Sequence, residues 1–507
     1  MTTRREVLVP FSGAMLGLLL AALDQTIVAT ALPRIVADLH GLNHLSWVVT
    51  AYLLTSTVTV PLYGKLSDLY GRKRLFMVAI SLFLLGSALC GASQSMTELI
   101  VFRAVQGLGA GGLIPLTFAV VGDLFSPRDR GRYQGLTGAV WAIAAVAGPL
   151  LGGVLTDKVS WRWIFYINIP LSLLALFVIA TTMHIPFHRR EHSIDFLGAG
   201  LLTGSSVCLL LAAVWGGENY PWGSSEIVGL LLAGVLLAGM FLLVEARARE
   251  PILPLRLFRN SVFSVSVAAS VLTGAVLFGA LIYIPLFVQG VVGGSATNSG
   301  VVLIPLSLGW VVTSIISGQV ISRTGRYRLF PIAGGTVVAA GFWLLTRMTV
   351  HTSSLTVAAY LLVIGFGMGL AVQVYVLAVQ NAVEPKDMGI AIASTQFFRS
   401  MGGTFAVAAF GSILTSRLAT ELGSRLGAAA SRVDPQRLLQ SPTAAHRLPS
   451  NLVDGVRASL AAALHPVYVT CFVISLLALA VSFLLKELPL RTHAGIEPAR
   501  GTVPTDG

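Results

Sequence analysis

The stretch Gly64-Lys65-Leu66-Ser67-Asp68-Leu69-Tyr70-Gly71-Arg72-Lys73-Arg74 lies between two apolar runs that are each long enough to cross a bilayer. Gly64 and Gly71 allow close backbone approach and a sharp turn, and the basic residues favour the cytoplasmic side of a membrane. Asp68 requires a cationic partner or the N-terminus of a helix. The stretch therefore predicts a tight cytoplasmic hinge in which Gly64, Asp68, Gly71 and Arg72 form a gate.

The composition of the whole chain predicts a polytopic membrane protein. Of its 507 residues, 55% are hydrophobic and only 11% are charged, and the mean hydropathy is +0.81, which is far too apolar for a soluble protein. Lys and Arg exceed Asp and Glu by 34 to 22. These basic residues lie in short loops and form no stripe with interleaved aromatic residues, which argues against binding of nucleic acid.

Residues that could support metal binding or catalysis do not form a recognisable pattern. Three cysteines occur singly within apolar runs, at Cys90, Cys208 and Cys471. His184, His188 and His192 recur every four residues, but Pro186 and the basic neighbours favour a solvated loop over a metal site. No Gly-x-Ser-x-Gly or His-Glu-x-x-His motif occurs. We therefore expect no metal, no cofactor and no enzymatic activity.

Apolar runs of about 20 residues predict fourteen transmembrane helices. They lie near residues 9–32, 45–64, 75–92, 98–121, 135–156, 164–185, 196–215, 226–245, 261–288, 299–321, 329–348, 355–379, 389–414 and 464–485. This arrangement predicts three parts, which are an N-terminal six-helix bundle (1–185), an inserted two-helix pair (186–260) and a C-terminal six-helix bundle (261–507). An external loop near 415–463 is either a surface helix or a solvated connector.

The distribution of positive charge predicts the orientation of the chain. An even number of spans places both termini on one side, and the short loops on that side carry most of the Lys and Arg residues. Because positively charged loops remain in the cytoplasm, both termini are predicted to be cytoplasmic in a multi-pass protein of the inner (cytoplasmic) cell membrane.

The opening stretch has a second copy, Gly318-Gln319-Val320-Ile321-Ser322-Arg323-Thr324-Gly325-Arg326-Tyr327-Arg328, in which both glycines are displaced by the same number of residues. Two further segments recur in the same order. Residues 107–111 (GLGAG) are echoed by 365–369 (GFGMG), and residues 127–131 (PRDRG) by 385–389 (PKDMG). Three ordered echoes predict two similar six-helix bundles in parallel orientation, with a cavity between them near the membrane midplane.

These segments resemble the major facilitator superfamily and, within it, the fourteen-span drug:proton antiporters of the EmrB/QacA type. Residues 64–74 are similar to the superfamily's loop motif between helices 2 and 3. Three further features are similar to the fourteen-span group. They are the inserted pair, the segment Leu23-Asp24-Gln25-Thr26-Ile27-Val28-Ala29-Thr30-Ala31-Leu32-Pro33 and the segment Gln396-Phe397-Phe398-Arg399-Ser400-Met401-Gly402-Gly403. The resemblance covers essentially the full chain, and it implies an all-α major facilitator fold and proton-coupled export of hydrophobic or amphiphilic drugs.

Asp24 and Arg103 are the predicted proton-coupling pair. Asp24 lies in an otherwise uncharged span, where the cost of burying its charge makes it a functional candidate, and the less favoured alternative is an acid held permanently in an ion pair. Arg103 lies in a segment that is similar to the superfamily's fourth-helix motif. At about 1.5 Å per residue, both side chains lie roughly 8–9 Å below the outer surface. We therefore expect Asp24 to exchange protons during alternating access while Arg103 modulates its pKa.

Small residues form a stripe on the fifth predicted helix, at Gly138, Ala142, Ala145, Gly148, Pro149, Gly152 and Gly153. The stripe predicts close packing against a neighbouring helix. It also resembles the motif associated with antiporters of the superfamily, which favours export over uptake.

Arg399 lies about 15 Å into its predicted span, near the midplane, without an obvious acidic partner. Two partners remain open for Arg399, an anionic group of the substrate and a backbone carbonyl. Further candidates for the substrate cavity are polar or aromatic residues that could equally form helix contacts: Tyr283, Gln289, Trp310, Gln373, Tyr375 and Gln396.

The sequence thus predicts an exporter whose partners are protons, the lipid bilayer and a hydrophobic small-molecule substrate. It does not identify the substrate or the oligomeric state. The alternatives are dedicated efflux of one endogenous metabolite or lipid and, in a different class, a membrane sensor that does not transport.

Overall fold

The structure is a computed structural model that describes residues 4–39, 45–183, 195–217, 219–248, 250–294, 296–427 and 450–490. These ranges are almost entirely helical and contain no β-strand, only an isolated bridge between Gly216 and Tyr220. The all-α prediction is confirmed. The predicted loop with His184, His188 and His192 lies outside the described residues.

The helices of the first half follow one another with short connections. They are α1 (Arg4–Leu39), α2 (Leu45–Tyr70), α3 (Arg72–Ala92), α4 (Met96–Leu124), α5 (Pro127–Lys158), α6 (Trp163–Tyr166) and α7 (Asn168–Thr182). The sequence predicted one span over 164–185, whereas the structure divides it at Ile167 into α6 and α7.

Serine caps determine where α4 and α5 begin. Ser95 Oγ accepts a hydrogen bond from the backbone N–H of Glu98 at 3.2 Å, and the Glu98 carboxylate accepts one from the backbone N–H of Gln94 at 2.8 Å. Ser126 Oγ accepts from Asp129 N at 3.3 Å, and a proline follows in the first turn. These side chains satisfy N–H groups that have no partner inside the helix.

The inserted pair and the second half complete the chain. Their helices are α8 (Phe196–Trp215), α9 (Ser225–Glu245), α10 (Ser261–Phe287), α11 (Ala296–Thr324), α12 (Leu329–Leu345), α13 (Ser354–Ala382), α14 (Met388–Leu426) and α15 (Ser450–Phe483). Short 3₁₀ segments cover Leu255–Arg259 and Pro385–Asp387, and a π-helical turn, Val288–Val292, follows α10.

Both copies of the repeated hinge turn at a glycine. Gly71 has a φ of 90° between α2 and α3, and Gly325 has a φ of 72° between α11 and α12. Side chains with a Cβ rarely adopt this left-handed backbone region. The sequence repeat therefore corresponds to a repeated backbone turn.

The two halves meet along two seams, where α2 packs on α14 and α5 packs on α11. Within the first half α4 packs between α2 and α3, and within the second half α13 packs between α11 and α12. The inserted helix α8 contacts α2 and α14, so it lies along only one of the two seams. This corresponds to the predicted pair of similar bundles, and the predicted boundaries at 185 and 260 stay a prediction.

Twelve helices in the described residues are long and apolar enough to cross a membrane by length and composition. The helix Leu45–Tyr70 is not among them. Leu329–Leu345 is shorter than the others. The number of fourteen spans stays a prediction.

The predicted external segment near 415–463 is helical at both ends, and residues 428–449 lie outside the described residues. Residues 415–426 continue α14, and residues 450–463 form the start of α15. Leu418 and Leu422 pack with Val456 and Leu460, so the two extensions bury an apolar face against each other. This pairing explains why the two ends of the segment, for which a surface helix and a solvated connector were both predicted, are helical.

Candidate functional site

The structure brings Asp24 and Arg103 into direct contact in the interior of the first half. Arg103 Nη1 lies 2.7 Å from Asp24 Oδ2, and the two residues are 2% and 0% exposed. The other carboxylate oxygen, Oδ1, accepts hydrogen bonds from Gln106 Nε2 at 2.8 Å and from Asn168 Nδ2 at 3.3 Å. The carboxylate is therefore held by α4 on one side and by α7 on the other.

Arg103 has partners besides Asp24. Its Nη1 also donates to Gln106 Oε1 at 2.7 Å, and its Nε donates to the carbonyl oxygen of Val48 at 3.2 Å. Its guanidinium carbon lies 4.0 Å from the centre of the Tyr52 ring, within range of a cation–π contact. The guanidinium would therefore keep several contacts if Asp24 became neutral.

The small-residue stripe of α5 packs on α1 two residues beyond Asp24. A Cβ at Gly148 would collide with Thr26, whose hydroxyl donates to the carbonyl oxygen of Ala144 at 2.9 Å. Gly153 differs, because a Cβ there would meet nothing within 4 Å. Gly152 is buried. The side chain of Pro149 lies outside the described residues. Gly148 therefore joins α5 closely to the helix that carries Asp24.

Asp68 contacts the N-terminus of α14 across the seam between the halves. Its two carboxylate oxygens accept hydrogen bonds from the backbone N–H groups of Gly389 and Ile390, both at 2.9 Å. These N–H groups lie in the first turn of α14, where they have no helical partner and where the helix dipole favours a negative charge. The copy of Asp68 in the second half is Ser322, so the second copy carries no acid at this position.

Arg72 holds Asp68 in place from within the first half. Its Nη1 lies 2.5 Å from Asp68 Oδ1, and its Nε lies 2.9 Å from Asp123 Oδ2 at the end of α4. A Cβ at Gly64 would collide with Ala393, which shows that α2 and α14 approach closely here. Residues 64–74 with the start of α14 are called the α2–α14 gate below.

A second contact between the halves lies at the same end of the molecule, where α5 meets α11 and α13. Gln134 Nε2 donates to Gln380 Oε1 at 2.8 Å, and Gln380 Nε2 donates to the carbonyl oxygen of Phe118 at 3.0 Å. Arg130, which is 4% exposed, donates from Nη1 to the carbonyl oxygen of Gln380 at 3.3 Å. Arg128 donates from Nε to the carbonyl oxygen of Ser322 at 2.9 Å. These contacts are called the α5–α11 gate.

The connection between the inserted pair and α10 crosses both halves at the gate end. Lys65 Nζ lies 3.1 Å from Glu250 Oε2, and Arg256 Nη2 donates to both oxygens of Asp387 at 2.9 Å. Because Lys65 belongs to α2 and Asp387 precedes α14, this connection ties the two sides of the α2–α14 gate together.

The candidate cavity residues fall into two groups. Tyr283 donates its hydroxyl to the carbonyl oxygen of Val407 at 2.8 Å, the Tyr375 hydroxyl lies 2.7 Å from Ser482 Oγ, and Gln289 donates to Ser299 at 2.8 Å. These contacts all lie within the second half. We therefore interpret Tyr283, Tyr375 and Gln289 as helix contacts.

The second group comprises two residues with a polar atom unpartnered in the described part of the chain and two residues that bond to each other. Trp310 Nε1 and Gln373 Oε1 are buried atoms without a hydrogen-bond partner among the described residues. Arg399 donates from Nη2 to the side-chain oxygen of Gln396 one turn earlier on α14. These four residues remain candidates for the cavity.

Residues 14–407 match the sequence model of the Major Facilitator Superfamily. The chain belongs to this superfamily. An MFS-type transporter of Mycobacterium tuberculosis that is described as uncharacterized is 41% identical over 96% of this chain and 70% of its own length. The multidrug transporter protein MdtP of Bacillus subtilis is 37% identical over 96% of this chain and 94% of its own.

A solved structure shows the same fold. The proton:xylose symporter XylE superposes with a TM-score of 0.65 at 13% identity and covers 97% of this chain and 98% of its own. The predicted membership of the superfamily is thus confirmed, and the protein is a multi-pass membrane transporter.

Sequence reasoning missed several groups that complete the sites of this Major Facilitator Superfamily transporter. Gln106 follows Arg103 by three residues on the same helix face, a signal that could have identified it. Asn168, Gln134 and Gln380 carry no comparable signal, because their roles depend on contacts with helices that are distant in sequence. Glu250 lies in a connection that the sequence indicated only as part of the inserted pair.

Gly318→Val is expected to prevent full closure of the α5–α11 gate and to lower transport about tenfold or more. A Cβ at Gly318 would collide with the backbone of Gly131 on α5, and neither backbone can move without separating the helices. The measurement is the initial rate of substrate transport in proteoliposomes. Gly300→Val is the matched control, because a Cβ at that position on the same helix meets nothing within 4 Å. Equal rates for the two variants would refute the proposed contact.

Proposed function

We propose that this transporter is a proton-coupled exporter of hydrophobic or amphiphilic compounds, including antibiotics and toxic drugs, and that it works by alternating access. The observation that carries the proposal is the fully buried contact between Asp24 and Arg103. A carboxylate in the membrane interior is costly to ionise, so a change in its protonation changes the energy of its surroundings. The similarity to MdtP, which is named a multidrug transporter, supports the class of substrate.

Asp24 is the proton-carrying residue in this proposal, and Arg103 stabilises its ionised form. When Asp24 takes up a proton, the attraction between the carboxylate and the guanidinium is lost. Arg103 then keeps Gln106 Oε1, the carbonyl oxygen of Val48 and the Tyr52 ring. These contacts lower the cost of the protonated state, so Asp24 can take up a proton without leaving Arg103 without partners.

Helix α4 connects the proton site with both gates. It carries Arg103 in its first third. Further along, the carbonyl oxygen of Phe118 accepts from Gln380 and that of Gly122 accepts from Arg130. Asp123, near its end, pairs with Arg72. We infer that displacement of α4 after protonation of Asp24 weakens the contacts of both gates. This gives proton binding a direct mechanical effect on the opposite end of the molecule.

The gate end is assigned to the cytoplasm from the positive charge of its loops. At this end α5 and α11 touch at Gly131 and Gly318. Near the other ends of the same helices, a Cβ built at Gly153 or at Gly300 would meet no atom within 4 Å. In this assignment the structure therefore corresponds to an outward-facing arrangement. Asp24 would then receive its proton from the outer side.

The proposal is tested with purified protein in liposomes that have an acidic interior. Outward proton flow should drive uptake of a fluorescent amphiphile such as 1-pyrenebutyrate, a weak acid that otherwise distributes away from an acidic compartment. Uptake should disappear when nigericin removes the pH gradient. Uptake that only equilibrates, or that is indifferent to the gradient, would contradict proton coupling. Survival of an efflux-deficient host on a broad panel of compounds separates multidrug export from efflux of a single metabolite.

A further inference from the structure

We propose that the substrates of this exporter are anionic amphiphiles and that Arg399 of α14 binds their acidic group. The inference rests on the proposed export function and names the substrate class of the same cavity. Its starting point is the environment of the guanidinium, which donates to the side chain of Gln396 and has no ion pair with any Asp or Glu of the described residues. The contact is to a side-chain amide, so the alternative of a backbone carbonyl partner is not supported.

The helical register places Arg399 on the same face of α14 as Met388, which contacts the first half. Arg399 follows Met388 by three full turns at 3.6 residues per turn, so their Cα atoms lie on the same face. Met388 contacts the position of Gly122 on α4, with its side chain 3.6 Å from a Cβ built there. Arg399 therefore shares the face of α14 that carries Met388, about 16 Å deeper than the gate at 1.5 Å per residue, and its Cγ lies 3.0 Å from a Cβ built at Gly274 of α10.

Gln373 of α13 supplies a second, independent indication of a ligand. It precedes Gln380 by two turns, and Gln380 donates to the carbonyl oxygen of Phe118 on α4. Gln373 thus lies on the face of α13 that is turned toward the first half, about 10 Å from the gate. It is 7% exposed, and its Oε1 has no partner. Buried polar atoms normally have a partner, so a polar group of a ligand is expected to meet Oε1 here.

The chemistry of these groups selects an anion. A charge in a membrane interior is costly unless a partner compensates it, and the amide of Gln396 is neutral. The guanidinium presents a planar set of donors that matches a carboxylate or a phosphate. Gln373 Oε1 can accept a hydrogen bond from a hydroxyl or amide of the same substrate. Trp310 Nε1, which has no partner among the described residues, can donate a hydrogen bond to an acceptor of that substrate. An amphiphile with an acidic group and a polar substituent would satisfy all three.

Three pyrene probes with the same aromatic body and chain test the proposal. They are the anion 1-pyrenebutyrate, the neutral 1-pyrenebutanol and the cation 1-pyrenebutylammonium, and their binding is measured by fluorescence in lipid nanodiscs against empty nanodiscs. The wild-type protein should bind the anion about tenfold more tightly than the alcohol, because a hydrogen bond to a charged group contributes more than a neutral one. Arg399→Gln should remove this preference and leave the affinity for the alcohol unchanged.

Two variants keep the result interpretable. Arg399→Lys retains the charge and should keep part of the preference, which separates a lost charge from a disturbed fold. Arg347→Gln removes an arginine that stacks on Trp343 near the connection between α12 and α13, and it should leave all three affinities unchanged.

The proposal is overturned if the wild-type protein shows no preference for the anion, or if Arg399→Gln weakens all three probes equally. Asp24→Asn distinguishes this failure from failure of the export proposal. That variant should keep the charge preference in binding while losing proton-driven transport. A protein that prefers the anion but never transports against a gradient would contradict only the export proposal.

Discussion

Asp24→Asn is expected to reduce proton-driven transport to the level of protein-free liposomes while the protein still inserts and folds. Asparagine has the size of aspartate and keeps one oxygen that can accept from Arg103, but its amide nitrogen only donates, so the side-chain oxygens of Gln106 and Asn168 must turn toward it to replace the hydrogen bonds that Asp24 Oδ1 accepts. It cannot bind and release a proton. The loss should therefore concern coupling, whereas removal of the whole side chain would also take away every hydrogen-bonding atom that faces Arg103, and breaking a buried ion pair in this way costs about 3–5 kcal/mol.

The measurement is accumulation of 1-pyrenebutyrate driven by a pH gradient, together with release of protons when substrate is added. Asp454→Asn is the matched control, since that side chain is 92% exposed and its oxygen lies 3.9 Å from Arg457. Asp454→Asn should transport at the wild-type rate. Uphill transport by Asp24→Asn at the rate of this control would remove Asp24 from the mechanism.

Asp68→Asn is expected to open the α2–α14 gate and to raise the labelling rate of a cysteine placed at the gate by about 10- to 100-fold. The substitution removes the negative charge that accepts from Gly389 N and Ile390 N and pairs with Arg72. Hydrogen bonds to charged groups contribute about 1.5–3 kcal/mol, which corresponds to this change in the population of the open form.

Ser394→Cys reports on the opening, because Ser394 of α14 is 1% exposed and follows Ala393, which packs on Gly64 of α2. A maleimide reagent applied to proteoliposomes gives the rate after subtraction of the labelling of Cys90, Cys208 and Cys471. Asp129→Asn is the control at the same end, since Asp129 bonds with Ser126 of its own turn. If Asp129→Asn accelerated labelling as much as Asp68→Asn, the effect would not come from the contact between the halves.

The two copies of the hinge differ in charge, so the two gates are held by different contacts. The α2–α14 gate contains an acid on a helix N-terminus, whereas the α5–α11 gate contains Ser322, whose carbonyl oxygen accepts from Arg128. The inserted pair lies beside the first of these seams, and its connection adds the Lys65–Glu250 and Arg256–Asp387 pairs. We infer that the α2–α14 gate is the more strongly held of the two.

Several features followed from the sequence because they depend on neighbouring residues along the chain. Apolar runs gave the helices, and the ends of the inserted pair agree with Phe196–Trp215 and Ser225–Glu245. Gly71 and its copy Gly325 indicated the turns, since only glycine adopts their backbone conformation without strain. Asp24 was identifiable because the cost of burying a charge depends on the apolar run around it.

Other features were decided only by the tertiary structure. Asn168 reaches Asp24, Gln134 meets Gln380, and Asp68 meets the N–H groups of α14, in each case across a large separation in sequence. These pairings depend on how each helix is rotated and where it crosses its neighbours, and one sequence does not specify those quantities. The chain itself determined that Arg399 is a charge inside a membrane helix. Only the packing of the helices decided that its described partner is the neutral amide of Gln396, because a charge finds its partner through space and not along the chain.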